Sequence, residues 1–299
     1  MVNPFIFYSD PFVLPLPEGH RFPMAKYARL RERLVESGVA SAVVMAPPPA
    51  ATDAMLGLVH TEAYRNAVTG GRLPRVMMRR IGFPWSPEMV ERSRRSVGGT
   101  LAAARAALRR GAGINLAGGT HHAFADRGEG YCVFNDVAVA VRVLQGEGQI
   151  GRALIVDCDV HQGNGTARIF ADDRSVFTFD VFCEANFPFE KEPCDLAVSL
   201  RADTGDDEYL ARLAEGLADA IGRTQPDLAC YVSGADPFEG DALGRLALTR
   251  KGLAERDRVV MDGLRRAGIP AVVVMAGGYA ANLEDTVSIH LQTVAEVLG

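Results

Sequence analysis

The sequence predicts a doubly wound α/β fold, in which a mostly parallel central sheet carries helices on both faces. Short apolar runs rich in β-branched residues alternate along the chain with amphipathic stretches of helical length. The runs are apolar at nearly every position, as expected for parallel strands that are covered on both sides. Hydrophobic residues make up 48% of the 299 residues, so a large core is available. No repeat or long linker divides the chain, and we expect one domain over residues 1–299.

Five strands and five helices can be placed from this pattern. The predicted strands are the runs INLAGG, RALIVDCD, SVFTFDVF, DLACYVSGAD and PAVVVMAGGY. The predicted helices cover residues 86–109, 134–145, 206–222, 249–267 and 283–297. The proline-rich segment MAPPPA, at residues 45–50, predicts a loop.

The composition argues against nucleic acid and membrane partners. The net charge is −5, whereas phosphate binding is driven by clustered lysines and arginines. A local basic run is predicted to be a solvated helix face rather than a binding patch. It comprises Arg79, Arg80, Arg92, Arg94 and Arg95. No apolar run approaches the roughly 18 residues that a membrane span needs.

The cysteines and the N-terminal stretch indicate a cytoplasmic protein. The five cysteines are odd in number and none forms a C-x-x-C pair, which favours reduced, buried thiols over a disulfide framework. The first 20 residues are apolar, but they lack a basic region and are broken by prolines. We therefore do not expect a signal peptide.

Most of the predicted strands end in polar or glycine-rich residues. The ends read Gly-Gly-Thr-His-His, Asp-Cys-Asp-Val-His, Ser-Gly-Ala-Asp and Ala-Gly-Gly-Tyr. Ligands of open parallel sheets bind outside the carboxyl ends of the strands, so we expect these groups to converge in one crevice. The alternative is that each is the start of a separate loop.

The segment LIVDCDVHQGNG places Asp157, Asp159 and His161 at alternate positions. If the strand continues through Val160, the three side chains share one face. Buried carboxylates and an imidazole are costly unless they are paired or bind a cation. Asp236, at the end of another strand, completes a ligand set suited to zinc. The competing interpretation is that Asp157 caps the next helix and His161 is an ordinary loop residue.

Two adjacent histidines, His121 and His122, follow a glycine pair at a strand end. A metal held by two carboxylates leaves its bound water less acidic, so the site needs a separate general base, and the histidines suit that role. Tyr279 also follows two glycines and could donate to an oxyanion when a carbonyl is attacked. Taken alone, such a tyrosine is more often a packing residue.

Together these motifs resemble the zinc-dependent histone deacetylase family, and in particular its short bacterial and class IV-like members. The segments that carry the resemblance are GGTHHAFADRGEGYCVFND, DCDVHQGNGTA, VFTFDVFCEANFPF, GADPFEGDALGRLALT and AGGYAANL. The segment PLPEGHRFPMAKYARLRERL and HTEAY at residues 60–64 fit as well, so the likeness spans nearly the whole chain. It implies an arginase/deacetylase-like three-layer α/β fold with about eight strands, and hydrolysis of an acyl-amide on a lysine-like amine.

The resemblance also implies roles for individual residues. Three match the metal ligands: Asp159, His161 and Asp236. His122 matches the general base, and His121 its acidic or electrostatic partner. Asp157 falls behind His121, and Asn164 falls behind His122, where an aspartate would make His122 more basic. Tyr279 matches the residue that polarises the substrate carbonyl. Four match residues lining the acyl-lysine tunnel: Gly130, Tyr131, Phe187 and Leu243.

Two departures from the family pattern concern a second cation and the substrate. Asp180-Val181-Phe182 replaces the usual Ser-Leu-His near a structural potassium site. The residues that match this monovalent-cation site are Asp157, Asp159, His161, Asp180 and Val181. Asp180 could bind potassium (K⁺) more tightly, recruit another ion, or change the pKa of His121 through Asp157. The loop before FPWSPEM also lacks a clear aspartate for holding a substrate backbone, and Glu88 is a poor substitute.

The leading hypothesis is a metal-dependent deacylase that removes an acyl group from lysine side chains of proteins by means of a metal-activated water. The expected cation is zinc (Zn²⁺), or ferrous iron (Fe²⁺). Within the same chemistry, an acetylpolyamine or another small acylated amine is an alternative substrate. The alternatives from other classes are a non-catalytic, metal-binding interaction module and an arginase-like ureohydrolase with two manganese ions.

Overall fold

Eight strands form the central sheet of the computed structural model, which describes residues 5–299. They are β1 (Phe5–Phe7), β2 (Val44–Ala46), β3 (Ala112–Asn115), β4 (Ala153–Asp157), β5 (Val176–Cys183), β6 (Leu196–Leu200), β7 (Leu228–Ser233) and β8 (Ala271–Met275). Neighbouring strands follow the order β2-β1-β3-β8-β7-β4-β5-β6, and every pairing between them is parallel. Residues 1–4, the start of the N-terminal stretch discussed above, lie outside the described residues.

The helices pack on the two faces of this sheet. They are α1 (Lys26–Glu36), α2 (Asp53–Leu56), α3 (Glu62–Thr69), α4 (Arg75–Ile81), α5 (Pro87–Arg110), α6 (Asp136–Gly146), α7 (Asn164–Phe170), α8 (Asp206–Thr224), α9 (Arg250–Arg266) and α10 (Leu283–Leu298). The predicted three-layer α/β fold is therefore confirmed. The five predicted helices correspond to α5, α6, α8, α9 and α10, each within two residues at either end.

Alternate residues of the central strands enter two separate hydrophobic cores. Leu154 and Val156 of β4 pack in the core beneath α1, α8, α9 and α10, whereas Ile155 packs in the core beneath α5 and α6. Val273 of β8 likewise faces the first core, and Val272 faces the second. Because both faces are covered, every position of these strands is apolar, which is why the runs could be identified in the sequence.

The sequence did not predict strands β1, β2 and β6 or helices α1, α2, α3, α4 and α7. Strands β1 and β2 have three residues each, and β2 takes in the first two residues of the loop predicted at 45–50. Strand β6 lies at the other edge of the sheet, and its residues alternate between exposed and buried. A strand of three residues gives too little periodicity to be recognised, and β6 lacks the continuous apolar run of a strand that is covered on both faces.

One part of the predicted solvated basic face is wrong. Arg92 is only 8% exposed, and its guanidinium donates to the carbonyl oxygens of Ser9 and Phe12 at 2.9 and 3.1 Å. The guanidinium also lies 4.2 Å from the ring centroid of Tyr27. Burial lowers the pKa of Arg92. Helix α5 therefore uses this arginine to anchor the N-terminal loop, a contact between distant segments that no local pattern shows.

The cysteines agree with the prediction of buried thiols. All five are free, and Cys132, Cys158, Cys183 and Cys230 are buried. Burial raises the pKa of Cys158 to about 12, so this thiol stays protonated although it lies between two aspartates. Within residues 5–299, none of the helices combines the length and the apolarity that crossing a bilayer requires.

His60 connects the segments that lead into the polar edge of the sheet. Its Nδ1 donates to the carbonyl oxygen of Phe124 at 2.9 Å, and its Nε2 accepts the backbone N–H of Asn135 at 3.0 Å. The ring must be neutral, since one nitrogen donates while the other accepts. Burial lowers the pKa of His60 to about 4.

We expect His60 to make the folded state sensitive to acid. Its folded-state pKa is about 4, below the unfolded value of 6.5, so its contribution is complete above pH 6.5. That contribution is lost as the pH falls from 6.5 to 4, because the unfolded chain takes up the proton first, and it amounts to about 3 kcal/mol.

This expectation can be checked by urea unfolding across that pH range. The free energy of unfolding should fall less steeply with acid in His60→Gln than in the wild type. Imidazole NMR signals of the wild type should also show His60 neutral below pH 5. A titration of His60 near its unfolded value would contradict the assignment.

Candidate active site

The polar residues that follow four strands meet at one edge of the sheet. Strands β3, β8, β7 and β4 are consecutive neighbours in the middle of the sheet, and all run in the same direction. Their carboxyl ends lead into the segments that carry the histidine pair, Tyr279, Asp236 and the Asp157–His161 motif. The expected convergence of these groups is thus present in the fold.

The histidine pair sits on a loop that is held by a buried carboxylate. Asp136 accepts the backbone N–H groups of Gly119 and Thr120 at 3.1 and 2.7 Å, and the Thr120 hydroxyl at 2.6 Å. Gly118 and Gly119 have φ angles of 87° and 66°, a region that side chains disfavour. A Cβ at Gly119 would also lie 2.5 Å from that of Ala276. The glycine pair therefore allows the turn that aims the histidines into the site.

His121 is paired with a carboxylate at the end of β4. Its Nδ1 lies 2.7 Å from Oδ2 of Asp157, and both side chains are buried. Burial alone lowers the pKa of His121, but Asp157 and Asp159 outweigh it and raise the value to about 9. His121 is therefore a cation at neutral pH in this arrangement.

His122 is held by an amide instead. Its Nδ1 lies 2.7 Å from Oδ1 of Asn164, and Nδ2 of Asn164 donates to Oε1 of Glu129 at 2.7 Å. Glu129 fixes the orientation of the amide, so the amide oxygen faces His122 and Nδ1 carries the hydrogen. Burial, followed by the charges of His121 and His161, holds the pKa of His122 well below its usual value. His122 is thus a neutral ring whose Nε2 is free to accept a proton.

Three residues form a group suited to a metal ion. One ligand atom from each of Asp159, His161 and Asp236 lies within 4.8 Å of the other two. Nδ1 of His161 is 2.9 Å from Oδ1 of Asp159 and 3.2 Å from Oδ2 of Asp236. The remaining carboxylate oxygens accept backbone N–H groups, from Gly277 to Asp159 at 2.7 Å and from Val160 to Asp236 at 2.9 Å.

This group fits a divalent cation. Oδ2 of Asp236 is fully buried and, apart from its contact with Nδ1 of His161, has no hydrogen-bond partner within residues 5–299. Burial, followed by the charge of Asp159, raises the pKa of Asp236 to about 7. A Cβ at Gly277 would collide with Oδ2 of Asp236, so backbone closes tightly around these carboxylates. Two carboxylates and one imidazole are a donor set that suits a divalent metal ion.

Strand β4 does not continue through Val160, which was the condition for Asp157, Asp159 and His161 to share one face. The strand ends at Asp157 and the chain then bends, because the N–H of Asp159 donates to Oδ1 of Asp157 at 3.1 Å. The N–H of His161 donates to Oδ1 of Asp159 in the same way, at 3.0 Å. These local side-chain bonds compete with strand pairing. The bend separates Asp157, which pairs with His121, from the two metal-group residues.

The alternative interpretation of this motif also fails. Helix α7 has Gly163 as its N-cap and no side chain caps it, so Asp157 is not a helix cap. His161 lies against Asp159 and Asp236 and is not an ordinary loop residue.

Tyr279 lies across the site from the histidines. Its backbone N–H donates to Oδ2 of Asp241 at 2.6 Å, and its ring centroid is 6.0 Å from that of Tyr131. Lys26 supports the same turn, because its Nζ donates to the carbonyl oxygen of Ala276 at 3.0 Å. Burial, then the charges of Asp159 and Asp236, raise the pKa of Tyr279 well above its usual value. The phenol therefore stays protonated and can act only as a donor or neutral acceptor.

A cavity of about 770 Å³ leads from the surface to these groups. It is lined by all four residues predicted for a tunnel: Gly130, Tyr131, Phe187 and Leu243. His122 meets the ring of Phe187 edge to face, with centroids 5.0 Å apart. Asn186, which the sequence did not single out, joins two walls of the cavity by donating to the carbonyl oxygen of Leu243 at 2.7 Å. Glu88 does not line this cavity; it is exposed in the first turn of α5.

Asp180 lies beside Asp157 on the neighbouring strand, where the two are register partners. Its Oδ2 accepts the N–H of Gly163 at 2.8 Å, while its buried Oδ1 has no hydrogen-bond partner. Burial, followed by the charge of Asp157, raises the pKa of Asp180 well above its usual value. The side chains of Val181 and Phe182 are both buried. The Oδ1 atom of Asp180 is therefore a buried carboxylate oxygen without a hydrogen-bond partner among the described residues.

Comparisons with known proteins agree with this geometry. Residues 20–294 match the histone deacetylase domain. An uncharacterized protein of the cyanobacterium Picosynechococcus is 46% identical over 96% of this chain and 95% of its own length. Histone deacetylase 2 of Arabidopsis thaliana is 34% identical over 92% of this chain and 74% of its own length.

The fold comparison points in the same direction. The crystal structure of an HDAC homolog from Aquifex aeolicus matches with a TM-score of 0.86, covering 100% of this chain and 84% of that chain at 23% identity. The eight-stranded architecture is therefore shared with that protein. The chain with its paired histidines and Asp-His-Asp group belongs to the histone deacetylase family and is a hydrolase that acts on amide bonds.

Proposed function

We propose that the protein hydrolyses the amide bond between an acyl group and a lysine side chain. The observation that supports this most directly is the meeting of three groups at the inner end of one cavity. These groups are the metal group, the histidine pair and Tyr279. A metal, a base and an oxyanion donor around one point are what amide hydrolysis by water requires.

Asp159, His161 and Asp236 would hold one divalent cation, zinc or ferrous iron. When bound, such a cation supplies a Lewis acid that polarises the amide carbonyl and acidifies water. Over residues 5–299, this is the single group of three or more histidine, cysteine, aspartate or glutamate residues arranged for a metal. That count favours a one-metal hydrolase over a ureohydrolase with two manganese ions.

The protein's own groups then divide the proton transfers. Nε2 of His122 takes a proton from the attacking water, while Nδ1 keeps its hydrogen and donates it to Oδ1 of Asn164. The Tyr279 hydroxyl donates a hydrogen bond to the oxygen that becomes negative as the carbon turns tetrahedral. The histidine pair returns a proton to the departing amine, and the charged ring of His121 stabilises the anionic intermediate.

The walls of the cavity suit a long aliphatic chain that ends in an amide. Tyr131, Phe187 and Leu243 present apolar surface between the outer opening and the histidines. The neutral acyl-lysine side chain would lose little solvation in such surroundings, because its one polar group, the amide, would lie beside Tyr279 and the residues that would hold the metal. A non-catalytic interaction module would need neither the base nor the phenol.

We further propose a monovalent cation, such as potassium, beside Asp180. A small space of about 10 Å³ lies next to Asp157, Thr178 and Asp180. The unpaired Oδ1 of Asp180 would be one ligand, and the backbone near Asp159, His161 and Val181 would supply others. A cation there offsets the repulsion between two adjacent buried carboxylates.

The proposed roles of His122 and Tyr279 predict that replacing either residue lowers the activity without removing the metal ion. We expect His122→Ala to lower kcat by about 10²–10⁴-fold and Tyr279→Phe by about 10²–10³-fold. Both variants should retain one metal ion per chain, whereas Asp236→Ala should lose the ion together with the activity.

The measurement compares acetyl-lysine, trifluoroacetyl-lysine, long-chain acyl-lysine and acetylputrescine substrates, with metal content determined on the same samples. Unchanged turnover in His122→Ala and Tyr279→Phe would contradict the mechanism. A wild-type protein with full metal but no turnover on any of the four substrates would rule out the proposed function.

Glu129 should act as a positioning residue for the base. Removing its carboxylate in Glu129→Ala leaves the Asn164 amide without a partner, so the amide no longer holds the His122 ring in one tautomer. We expect kcat to fall about tenfold with little change in KM. Glu129→Gln keeps an acceptor oxygen and should retain most of the activity.

The pH profile of kcat separates this role from a purely structural one. The acidic limb of the profile of kcat against pH should shift along the pH axis in Glu129→Ala. It should stay at the wild-type position in Glu129→Gln. Equal losses in the two variants, or a loss confined to KM, would show that Glu129 does not act through Asn164.

The proposed cation beside Asp180 predicts a salt-specific stabilisation. Potassium chloride should raise the Tm of the wild type by about 3 °C over N-methylglucamine chloride at equal ionic strength. The increment should shrink in Asp180→Asn, whatever the absolute Tm of that variant, because the charge that attracts the ion is gone. Equal increments in both proteins would contradict the assignment.

A further inference from the structure

The outer opening of the active-site cavity is lined by arginines from separate parts of the chain. They are Arg21, Arg79, Arg80, Arg127 and Arg245. Arg21 precedes α1, Arg79 and Arg80 lie in the last turn of α4, Arg127 follows β3, and Arg245 follows β7. We propose that this arginine rim selects acyl-lysines with acidic residues nearby in the same peptide, an inference that rests on the proposed deacylase function.

Four of these arginines are free to bind a ligand. The side chains of Arg21, Arg79, Arg80 and Arg245 belong to exposed residues and form no ion pair within residues 5–299. Arg127 is the exception, since it pairs with the exposed Asp126 at 3.2 Å. Arginines elsewhere are commonly paired, as Arg94 is with Asp53 and Arg142 with Asp173. The rim therefore concentrates unpaired positive charge.

Acidic side chains at the opening do not cancel this charge. Glu129 accepts a hydrogen bond from Nδ2 of Asn164 at the inner end of the cavity. Glu190 and Glu192 belong to a single wall segment and are separated by Lys191. Five arginines thus face three glutamates around the cavity of a protein whose net charge is −5. A positive opening on an acidic protein attracts anions and steers them toward the site.

The distribution of the arginines favours a peptide over a small molecule. They come from four segments around an opening whose cavity is about 770 Å³, so one small acylated amine in the tunnel would not reach all of them. Carboxylates on either side of an acyl-lysine would reach guanidinium groups on several walls and can bind them in bidentate fashion. A cationic acetylpolyamine would instead be repelled.

The test uses peptides of one length with a central acetyl-lysine and flanks that are acidic, neutral or basic. We expect kcat/KM to be about tenfold higher for the acidic than for the basic peptide at low salt, and the ratio to shrink at high salt. The double variant Arg79→Glu/Arg80→Glu, and Arg245→Glu, should lose or reverse the ratio. Arg212→Glu, which changes an exposed and unpaired arginine on α8, should leave it as in the wild type.

Fluorescence anisotropy of the same labelled peptides measures their binding directly. This keeps the inference testable if turnover is absent, because the order of Kd values should follow the same charges. Equal kcat/KM and Kd for all flanks, or an acidic preference that survives both charge reversals, would overturn it. Preference for acetylputrescine over every peptide would also overturn it. If none of the peptides is turned over but their Kd values still follow the charge of the flanks, the deacylase function would be contradicted. The proposed role of the arginine rim would not be.

Discussion

The burial of carboxylates at one edge of the sheet is the constraint on which the rest of the site depends. Asp157, Asp159, Asp180 and Asp236 are each at most 3% exposed, and like charges in so small a space repel each other unless they are compensated. Backbone N–H groups satisfy some of their oxygens, and His121 and His161 offset part of the charge. One oxygen of Asp236 has no hydrogen-bond partner within residues 5–299 beyond its contact with Nδ1 of His161. The fold therefore creates an electrostatic demand that a bound cation would satisfy.

The same demand accounts for the different environments of the two adjacent histidines. His121 faces Asp157, and its pKa is raised. His122 faces the amide of Asn164, and burial, followed by the positive charges of His121 and His161, holds the pKa of His122 well below its usual value. An aspartate at position 164 would add one more buried negative charge and would raise the pKa of His122. The amide leaves one neutral ring next to one that is charged, which suits the proposed role of His122 as a base.

Much of this could be predicted from the sequence, because strands covered on both faces are apolar throughout and the polar residues that follow them stand out. The contacts that orient those residues could not be predicted. The hydrogen bond from Lys26 to Ala276 and the one from Asn164 to Glu129 join distant segments, and neither has a local signature. Asp136 could be recognised only as an acidic residue in the first turn of α6. Arg92 was misjudged for the same reason, since only the fold shows which side of α5 is covered.

The two ends of the cavity carry opposite charge, and the substrate of the proposed deacylase has to be compatible with both charges. The inner end is lined by carboxylates and the outer end by arginines, with apolar walls from Tyr131, Phe187 and Leu243 between them. A free cationic amine would be held back at the opening and a free anion at the carboxylates. In the proposed function, a neutral acylated side chain spans the apolar section while its parent chain stays outside. Recognition of the carrier would then take place at the rim, and the chemistry on the amide would take place at the inner end of the cavity.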